Sequence, residues 1–305
     1  MEHETTALPR LGVVGLGRMG LPMCGRLAHR GFGVTATDIR GELRSAALGA
    51  GARWAPSAGA VAAGAQVVIT MMPGPEEVAG VVDELVAALA PGSTWIDMST
   101  ASPDVAGMIG AAAGPRGVHV LDAPVGGDPE AAREGRLLAF VGGAAADLAA
   151  QREVLGTVAD RIVHVGPAGA GYAVKLLVNL LWFGQAVATA EALTLARRAG
   201  LDLEVVRAAL GQSAAASRFL ADDAAALLRG DDLRSFSLAR CVEELSSVLA
   251  LGDELAVPME LATAVAGVHR QALQRYGDVD GELLGARFVA ERAGLSLRAT
   301  PPPGS

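Results

Sequence analysis

The chain has 305 residues, of which 51% are hydrophobic and 4% aromatic, and a formal net charge of −8. This length predicts two domains, and the negative charge argues against a nucleic-acid-binding surface. Cys24 and Cys241 lie far apart without the spacing of metal ligands, which predicts a reduced protein with no metal site. The N-terminus has no apolar signal region and no uninterrupted apolar stretch reaches about 18 residues, so we expect a cytoplasmic protein with no membrane partner.

A glycine-rich motif follows the first predicted strand. Residues 11–14 are an apolar run typical of a buried parallel strand, and a helical pattern covers residues 21–30. Between them lies a G-x-G-x-x-G motif. Its first glycine permits a tight turn, its second lets a pyrophosphate approach the backbone, and its third lets the helix pack against the sheet. We therefore predict a dinucleotide site formed by Gly15, Leu16, Gly17, Arg18, Met19 and Gly20.

An acidic residue ends the second predicted strand, which covers residues 33–37. Asp38 follows Gly15 at close to the spacing of about 20 residues at which a carboxylate binds the ribose hydroxyls of NAD and repels a 2′-phosphate. Arg40, two positions later, could instead bind that phosphate. The sequence thus favours NAD as the cofactor and keeps NADP as the alternative.

Strands and helices then alternate through residue 165. Strands are predicted over residues 66–72, 94–98, 118–123, 135–143 and 162–165, and helices over 76–89, 103–113 and 148–158. Ligands of open α/β sheets bind at the carboxyl ends of the strands. We therefore predict that the cofactor contacts Met72, Pro73, Ser99 and Thr100. The alternative is ordinary turn chemistry, in which Ser, Thr and Pro are common.

The second half of the chain predicts helices alone, over residues 170–199, 203–212, 218–228, 238–251, 258–276 and 282–293. We accordingly predict an α/β fold with a doubly wound, Rossmann-type domain over residues 1–165. An all-α C-terminal domain, built on a long interdomain helix, follows over 166–299, and residues 300–305 form a disordered tail.

Two unique residues lie on the long predicted helix. Lys175 is the only lysine of the chain, and Asn179 is the only asparagine. Positions four residues apart share a helical face, and their neighbours are apolar, so both side chains would point into one partly buried place at the interdomain cleft. Burial lowers the pKa of an ammonium group, which suits a general acid/base. The alternative is a lysine that reaches the surface beside a capping asparagine.

Four separated motifs resemble the β-hydroxyacid dehydrogenase family, which includes 3-hydroxyisobutyrate dehydrogenase and tartronate semialdehyde reductase. They are GLGRMGLPM (15–23), DAPVGGDPEAAREGRLLAFVGG (122–143), GPAGAGYAVKLLVN (166–179) and EALTLARRAGLD (191–202). ITMMPG and IDMSTASP add two cofactor-side segments, and the likeness covers about residues 11–293. It implies a Rossmann domain, a helical C-terminal domain, and hydride transfer between a nicotinamide and a small hydroxyl or carbonyl substrate.

The resemblance also implies roles for individual residues. Lys175 would protonate the carbonyl oxygen on reduction, or take the alcohol proton on oxidation, and Asn179 would hydrogen-bond the substrate. The substrate side would comprise Gly126, Gly127, Asp128, Trp182, Phe236 and Glu243. The family's habits and the apolar helical domain lead us to expect a homodimer or homotetramer.

Three departures from the family's pattern concern the substrate side. Gly126 replaces a serine, Asp128 replaces the second glycine of a pair, and Glu243-Glu244 replaces the Lys-Asp that the family has seven and eight residues after a phenylalanine, here Phe236. The serine helps to hold the substrate carboxylate, and the lysine lies near the cofactor and the pocket. If Asp128 and Glu243 face the pocket, we expect a neutral or cationic substrate group such as an amine.

The alternative is that both acids turn to solvent or pair with Arg240 or Arg133, in which case a hydroxy acid is the expected substrate. An imine reductase-like enzyme would suit extra carboxylates, although such enzymes have another residue in place of Lys175 and favour NADPH. A catalytically silent nucleotide-binding protein would suit the altered substrate segment, although the retained pair of Lys175 and Asn179 argues against it.

Overall fold

The structure is a computed structural model that describes residues 8–234 and 236–298. The chain divides into two compact units between Lys175 and Leu176, and each is described by itself. The division lies beyond the boundary predicted after residue 165, because the first residues of the long helix pack against strands of the first unit. The predicted tail over 300–305 lies outside the described residues.

One sheet organises the first unit. Among the described residues it has nine strands: β1 (Leu11–Val14), β2 (Val34–Thr37), β3 (Arg53–Trp54), β4 (Val67–Thr70), β5 (Thr94–Asp97), β6 (His119–Asp122), β7 (Val125–Gly126), β8 (Leu137–Gly142) and β9 (Ala159–Gly166). Their order is β3-β2-β1-β4-β5-β6-β8-β7, with β9 paired to β8. The strands from β3 to β6 are parallel, whereas β8 is antiparallel to both β6 and β7. The strand order reverses between β1 and β4, the switch point at which doubly wound sheets bind dinucleotides.

Helices cover both faces of this sheet. They are α1 (Gly20–His29), α2 (Arg44–Gly49), α3 (Ala58–Ala62), α4 (Pro75–Gly80), α5 (Val82–Ala88), α6 (Pro103–Ala113), α7 (Pro129–Glu134), α8 (Ala145–Ala150) and α9 (Arg152–Val158). One core lies under α1, α2 and α7–α9, and a second under α3–α6. Successive strand residues point to opposite faces: Val13 packs into the first core and Val14 into the second. Both faces are apolar, which explains the continuous hydrophobic runs of the strands.

The second unit is helical. Helix α10 (Ala170–Arg198) begins in the first unit, and α11 (Leu203–Gly211), α12 (Ala224–Arg229), α13 (Leu238–Glu254), α14 (Glu260–Tyr276) and α15 (Leu284–Arg292) follow. A π-helical turn, Phe219–Asp223, leads into α12. Two apolar clusters of Leu, Ala, Val and Phe side chains hold these helices together. The structure thus confirms the predicted fold class of a Rossmann-type sheet and a helical C-terminal region.

The differences from the predicted elements are local. The helix predicted over 76–89 is interrupted at Val81, and that over 148–158 at Gln151. The amphipathic pattern of residues 58–63 predicts helix α3, whereas helices α2 and α7 and strands β3 and β7 escaped prediction, since they have only two to six residues and show no clear hydrophobic period.

Helix α10 is unusually apolar. An 18-residue window has a mean hydropathy of 1.4, so by length and composition the helix could also cross a membrane. The core helix of a soluble protein meets the same criterion, and α10 contains Lys175 and Asn179 within its first half. Its composition therefore does not decide between these two environments.

Two glycines of α10 differ in their surroundings and provide a matched test of this packing. A Cβ at Gly171 would lie 2.5 Å from the carbonyl oxygen of Phe140 and 2.6 Å from that of Asp122, whereas one at Gly184 would meet nothing within 4 Å. We expect Gly171→Ala to lower the free energy of unfolding by about 2 kcal/mol or more, because backbone atoms must move apart. Gly184→Ala should raise it by up to about 1 kcal/mol through helix propensity. Urea denaturation measures both changes, and equal effects of the two substitutions would contradict this packing.

Candidate active site

The glycine motif forms a tight turn between β1 and α1. Gly15 has a φ of +92°, and a Cβ there would lie 2.4 Å from the carbonyl oxygen of Met71. A Cβ at Gly20 would lie 1.9 Å from the carbonyl oxygen of Gly15, so both positions require glycine. At Gly17 the nearest atom would be a guanidinium nitrogen of Arg40 at 3.8 Å. The backbone of Gly17 is therefore accessible. A pyrophosphate that binds at the N-terminus of α1 requires this access.

Asp38 joins the end of β2 to this turn. One oxygen of its carboxylate accepts the backbone N–H of Leu16 at 2.7 Å, and the other accepts Nε of Arg40 at 3.0 Å. The Asp38 side chain is 7% exposed and that of Arg40 is 50% exposed. Burial alone would raise the pKa of Asp38, but the hydrogen bonds from Arg40 and Leu16 outweigh it and lower that pKa. Asp38 is thus an ionised carboxylate beside the glycine turn, and Arg40 is its partner.

A buried carboxylate connects the residues that follow β4 and β5. Asp97, the last residue of β5, is fully buried and accepts hydrogen bonds from the hydroxyls of Thr70, Ser99 and Tyr172. Ser99 Oγ in turn accepts the backbone N–H of Met72 at 2.8 Å. Two residues predicted to contact the cofactor, Met72 and Ser99, are therefore held together by one carboxylate.

The donors in this network fix the direction of each hydroxyl. The indole N–H of Trp95 can only donate, and it donates to Thr70 Oγ1 at 2.8 Å. Thr70 must then turn its own hydrogen toward Asp97, and Ser99 must do the same because it accepts the N–H of Met72. Burial raises the pKa of Asp97 and the three hydroxyl donors oppose that rise. Acceptance from these hydroxyls is the arrangement that the ionised form of the carboxyl group requires, and burial keeps its pKa raised despite them.

A second buried carboxylate holds the start of α10. Asp122, at the end of β6, accepts the backbone N–H of Gly169 at 2.8 Å and that of Tyr172 at 3.1 Å. Burial raises the pKa of Asp122 and these N–H donors oppose the rise. Gly169 has a φ of +89°, and Gly171 lies too close to the backbone of β6 and β8 for a side chain. The glycines of the predicted catalytic motif therefore serve the close approach of α10 to the sheet.

Lys175 and Asn179 lie one turn apart on α10. The Lys175 side chain is half-buried and Asn179 is 8% exposed. Asn179 donates a hydrogen bond through Nδ2 to Glu244 on α13. Because a carboxylate can only accept, this contact assigns the orientation of the amide. Oδ1 and the second N–H of Asn179 are the groups that it can offer to a ligand.

The two acids that could have faced a substrate have local partners instead. Asp128 caps α7 by accepting the backbone N–H of Ala131 at 2.8 Å, and Glu243 forms an ion pair with Arg240 of its own helix. For Glu243 the structure shows the pairing with Arg240 that was the alternative expectation. Asp128 pairs with neither arginine that the sequence suggested, since the N-terminus of α7 is its partner. The structure therefore explains both acids without a ligand.

The other predicted substrate-side residues have packing roles in the structure. Trp182 donates its indole N–H to Asp223 at 2.8 Å, and its ring packs edge-on against Phe183 and Phe219. Phe236 is partly buried against the cluster of α13 and α14. Gly126 lies in β7, and Gly127, with a φ of +127°, leads from it to α7.

The remaining residues predicted to contact the cofactor differ in exposure. Thr100 is half-buried, while Pro73 and Arg18 are exposed and Met19 precedes α1.

Four polar residues of the site have contacts that the sequence did not predict: Asp97, Asp122, Tyr172 and Glu244, the last of which was noted only as a departure from the family's Lys-Asp. Asp97 and Asp122 end apolar strands, which was a signal, since ligands and functional groups of α/β sheets gather there. Tyr172 occupies an unspecified position of the glycine motif, and Glu244 follows the acid that the sequence singled out. Their partners lie far away along the chain, so no local pattern reveals them.

Known proteins match both halves of the chain. The family model of the NAD binding domain of 6-phosphogluconate dehydrogenase matches residues 10–166. The model of the NAD-binding domain of NADP-dependent 3-hydroxyisobutyrate dehydrogenase matches residues 169–284. These matches cover most of the described residues.

Individual relatives agree with these models. NAD-dependent L-serine dehydrogenase of Pseudomonas aeruginosa is 37% identical over 202 residues, which are 65% of this chain and 68% of that protein. 2-(Hydroxymethyl)glutarate dehydrogenase of Eubacterium barkeri is 31% identical over 84% of this chain and 86% of its own length. The structure of 3-hydroxyisobutyrate dehydrogenase of Mycobacterium tuberculosis with L-serine superposes with a TM-score of 0.86 and 28% identity, covering 94% of this chain and 99% of that one. An imine reductase of Myxococcus stipitatus, at 21% identity and a TM-score of 0.65, shares the fold alone.

Proposed function

Since the chain belongs to the β-hydroxyacid dehydrogenase family and is an NAD(P)-dependent oxidoreductase, we propose that it interconverts the primary alcohol of a small 3-hydroxy acid and the corresponding aldehyde. The observation that supports this most is the pair of Lys175 and Asn179. The chain's only lysine and only asparagine lie one turn apart on a helix whose first turn is anchored to the sheet. In this proposal Lys175 is the general acid/base and Asn179 holds the reacting oxygen.

The chemistry of the relatives' names supports this substrate class. L-Serine, 3-hydroxyisobutyrate and 2-(hydroxymethyl)glutarate each have a hydroxymethyl group on the carbon that bears a carboxylate. An anionic substrate also suits this chain, because Asp128 and Glu243 have structural partners of their own. An amine substrate was expected only if Asp128 and Glu243 faced the pocket. Their local contacts do not favour such a substrate.

The proposed reaction moves one proton and one hydride. The glycine turn and Asp38 would hold the nicotinamide cofactor, which when bound would supply the hydride acceptor for the carbon that bears the hydroxyl. Neutral Lys175 takes the hydroxyl proton as the C=O bond forms, and in the reverse direction its ammonium returns that proton. Asn179, oriented by Glu244, donates its second N–H to the reacting oxygen while the hydroxyl proton goes to Lys175. Because the proton and the hydride leave together, neither an alkoxide anion nor a protonated aldehyde forms in the transition state.

We propose NAD as the preferred cofactor. Asp38 presents an ionised carboxylate beside the glycine turn, which suits the ribose hydroxyls and repels a 2′-phosphate. Arg40, the cation that could attract this phosphate, is bound to Asp38 through both its backbone and its side chain. These contacts favour NAD without excluding slower use of NADP.

A substrate panel tests the proposed function. We expect the purified protein to reduce NAD with L-serine, 3-hydroxyisobutyrate or 2-(hydroxymethyl)glutarate, and to leave 2-hydroxy acids and amino alcohols without a carboxylate largely unused. The initial rate of NADH formation measures this. Turnover of the amino alcohols but of no 3-hydroxy acid would contradict the proposed substrate class.

Lys175→Met tests the proposed general acid/base. Methionine keeps the length of the side chain and removes the proton carrier, so we expect kcat to fall by at least about 100-fold, as is typical for a lost acid/base group. Arg133→Met is the matched control, since it removes an exposed cation from α7, and should leave kcat unchanged. If Lys175→Met kept more than a tenth of the activity on the best substrate, Lys175 would not be the proton carrier.

Asp38→Ser tests the cofactor proposal. The substitution removes the repulsive carboxylate and releases Arg40, so the ratio of kcat/KM for NAD to that for NADP should fall by at least about tenfold, which corresponds to about 1.4 kcal/mol. Asp83→Ser, which removes an exposed acid from α5, should leave the ratio unchanged. A wild-type protein that prefers NADP, or a ratio that Asp38→Ser does not alter, would overturn the assignment.

A further inference from the structure

We infer that Tyr172 is a positioning residue for the proton transfer, which it controls by fixing the turn of α10 that bears Lys175. The inference rests on the proposed role of Lys175. In this inference the side chain of Tyr172 contacts neither the proton carrier nor the cofactor, and it connects the part of the first unit that bears Lys175 with the part on the cofactor side. Both connections pass through the fully buried carboxylate of Asp97 or the buried carboxylate of Asp122.

The first connection holds the helix. The hydroxyl of Tyr172 donates to Asp97 Oδ2 at 2.6 Å, and its backbone N–H donates to Asp122 at 3.1 Å. The first turn of α10 is thus attached to the ends of two neighbouring strands, β5 and β6, whose last residues are paired in register. Attachment through a side chain and a backbone group together fixes both the axial position and the rotation of a rigid helix. Lys175 lies three residues later, on the next turn, and its direction follows that rotation.

The second connection reaches the cofactor side of the sheet. Asp97 also accepts the hydroxyl of Ser99 at 2.7 Å, and Ser99 accepts the N–H of Met72. The carboxylate of Asp97 therefore binds the helix of the proposed proton carrier through Tyr172 and, through Ser99, reaches Met72, and both Ser99 and Met72 are predicted to contact the cofactor. An enzyme that moves a hydride and a proton together needs these two parts held at a fixed separation, because misplacement by about 1 Å can cost 100-fold in rate.

Burial makes this connection stiff. Tyr172 is 0% exposed, as is Asp97, so water cannot replace the phenol as a donor. Burial and the neighbouring carboxylates of Asp97 and Asp122 raise the pKa of Tyr172 well above its ordinary value. The phenol therefore keeps its proton and remains a donor throughout the pH range of the reaction.

Thr70 provides a matched comparison within the same network. Its hydroxyl also donates to Asp97, but Thr70 belongs to β4 and has no contact with α10 in the network. Tyr172→Phe and Thr70→Val each delete one hydroxyl donor to the same buried carboxylate and retain most of the side-chain volume. A purely structural role would make their effects on activity alike.

The kinetic experiment compares these two variants. We expect Tyr172→Phe to lower kcat about tenfold and to raise the primary deuterium isotope effect on kcat, while KM for the nicotinamide cofactor changes less than twofold. Thr70→Val should lower the melting temperature at least as much, because it also removes the acceptor of the Trp95 indole N–H, and should lower kcat clearly less than Tyr172→Phe does. Tyr172→Gln restores a neutral N–H donor and should recover part of the kcat that Tyr172→Phe loses. If the Tyr172→Phe protein does not fold, Tyr172→Gln takes its place in the comparison.

A second measurement needs no turnover, because the chain has a single lysine. Reductive methylation with 13C-formaldehyde places one side-chain label, on Lys175, and its NMR signal reports the surroundings of the amine. We expect Tyr172→Phe to shift or broaden this signal and Thr70→Val to leave it unchanged. If the wild-type protein turned over no 3-hydroxy acid, the proposed function would fail while this measurement still tested Tyr172.

Two results would overturn the inference. One is a Tyr172→Phe protein whose kcat and labelled-lysine signal both match wild type. The other is a pair of variants that lose kcat equally, since the loss would then follow from Asp97 alone and not from the position of α10.

Discussion

The attachment of the first turn of α10 to two buried carboxylates is the constraint on which the rest of the site depends. Asp122 binds the helix through backbone N–H groups, and Asp97 binds it through the phenol of Tyr172. Buried carboxylates are costly unless every oxygen has donors. Asp97 and Asp122 therefore need these donors, and they in turn hold the donors in place. The glycines before Lys175 are part of the same constraint, since a side chain at Gly171 would separate the helix from the strands.

Two sets of hydrogen bonds in the first unit support the proposal that this unit holds both a nucleotide and the proton carrier. The strand order reverses beside the glycine turn, and the carboxyl ends of β2, β4, β5 and β6 provide polar groups along one edge of the sheet. Asp38 is engaged by Leu16 and Arg40, whereas Asp97 links Ser99 to Tyr172. Ser99, on the cofactor side, and Tyr172, at the start of α10, thus share Asp97 as their hydrogen-bond acceptor.

Much of the fold could be predicted because its signals are local. Apolar runs bounded by glycine and the strand–glycine–helix order are written in consecutive residues, and the family resemblance extended them across the chain. The contacts of Asp128 and Glu243 were equally local: an acid before Pro-Glu-Ala-Ala is a helix cap, and Arg240 lies one turn before Glu243. The family's pattern directed attention to a ligand, and of these two local contacts only the pairing with Arg240 was among the alternatives. Asp97, Tyr172 and Glu244 could not be predicted, because each acts through a partner dozens of residues away.

Chemical rescue of a Lys175 variant tests whether the amine of Lys175 moves the proton of the reaction. Lys175→Ala, saturated with NAD and the best 3-hydroxy acid, should be nearly inactive and should regain turnover with added ethylamine, saturably and only where the amine is neutral enough to accept a proton. The wild-type protein should gain nothing from the amine. A Lys175→Ala protein that turns over at the wild-type rate without any added amine would contradict the account.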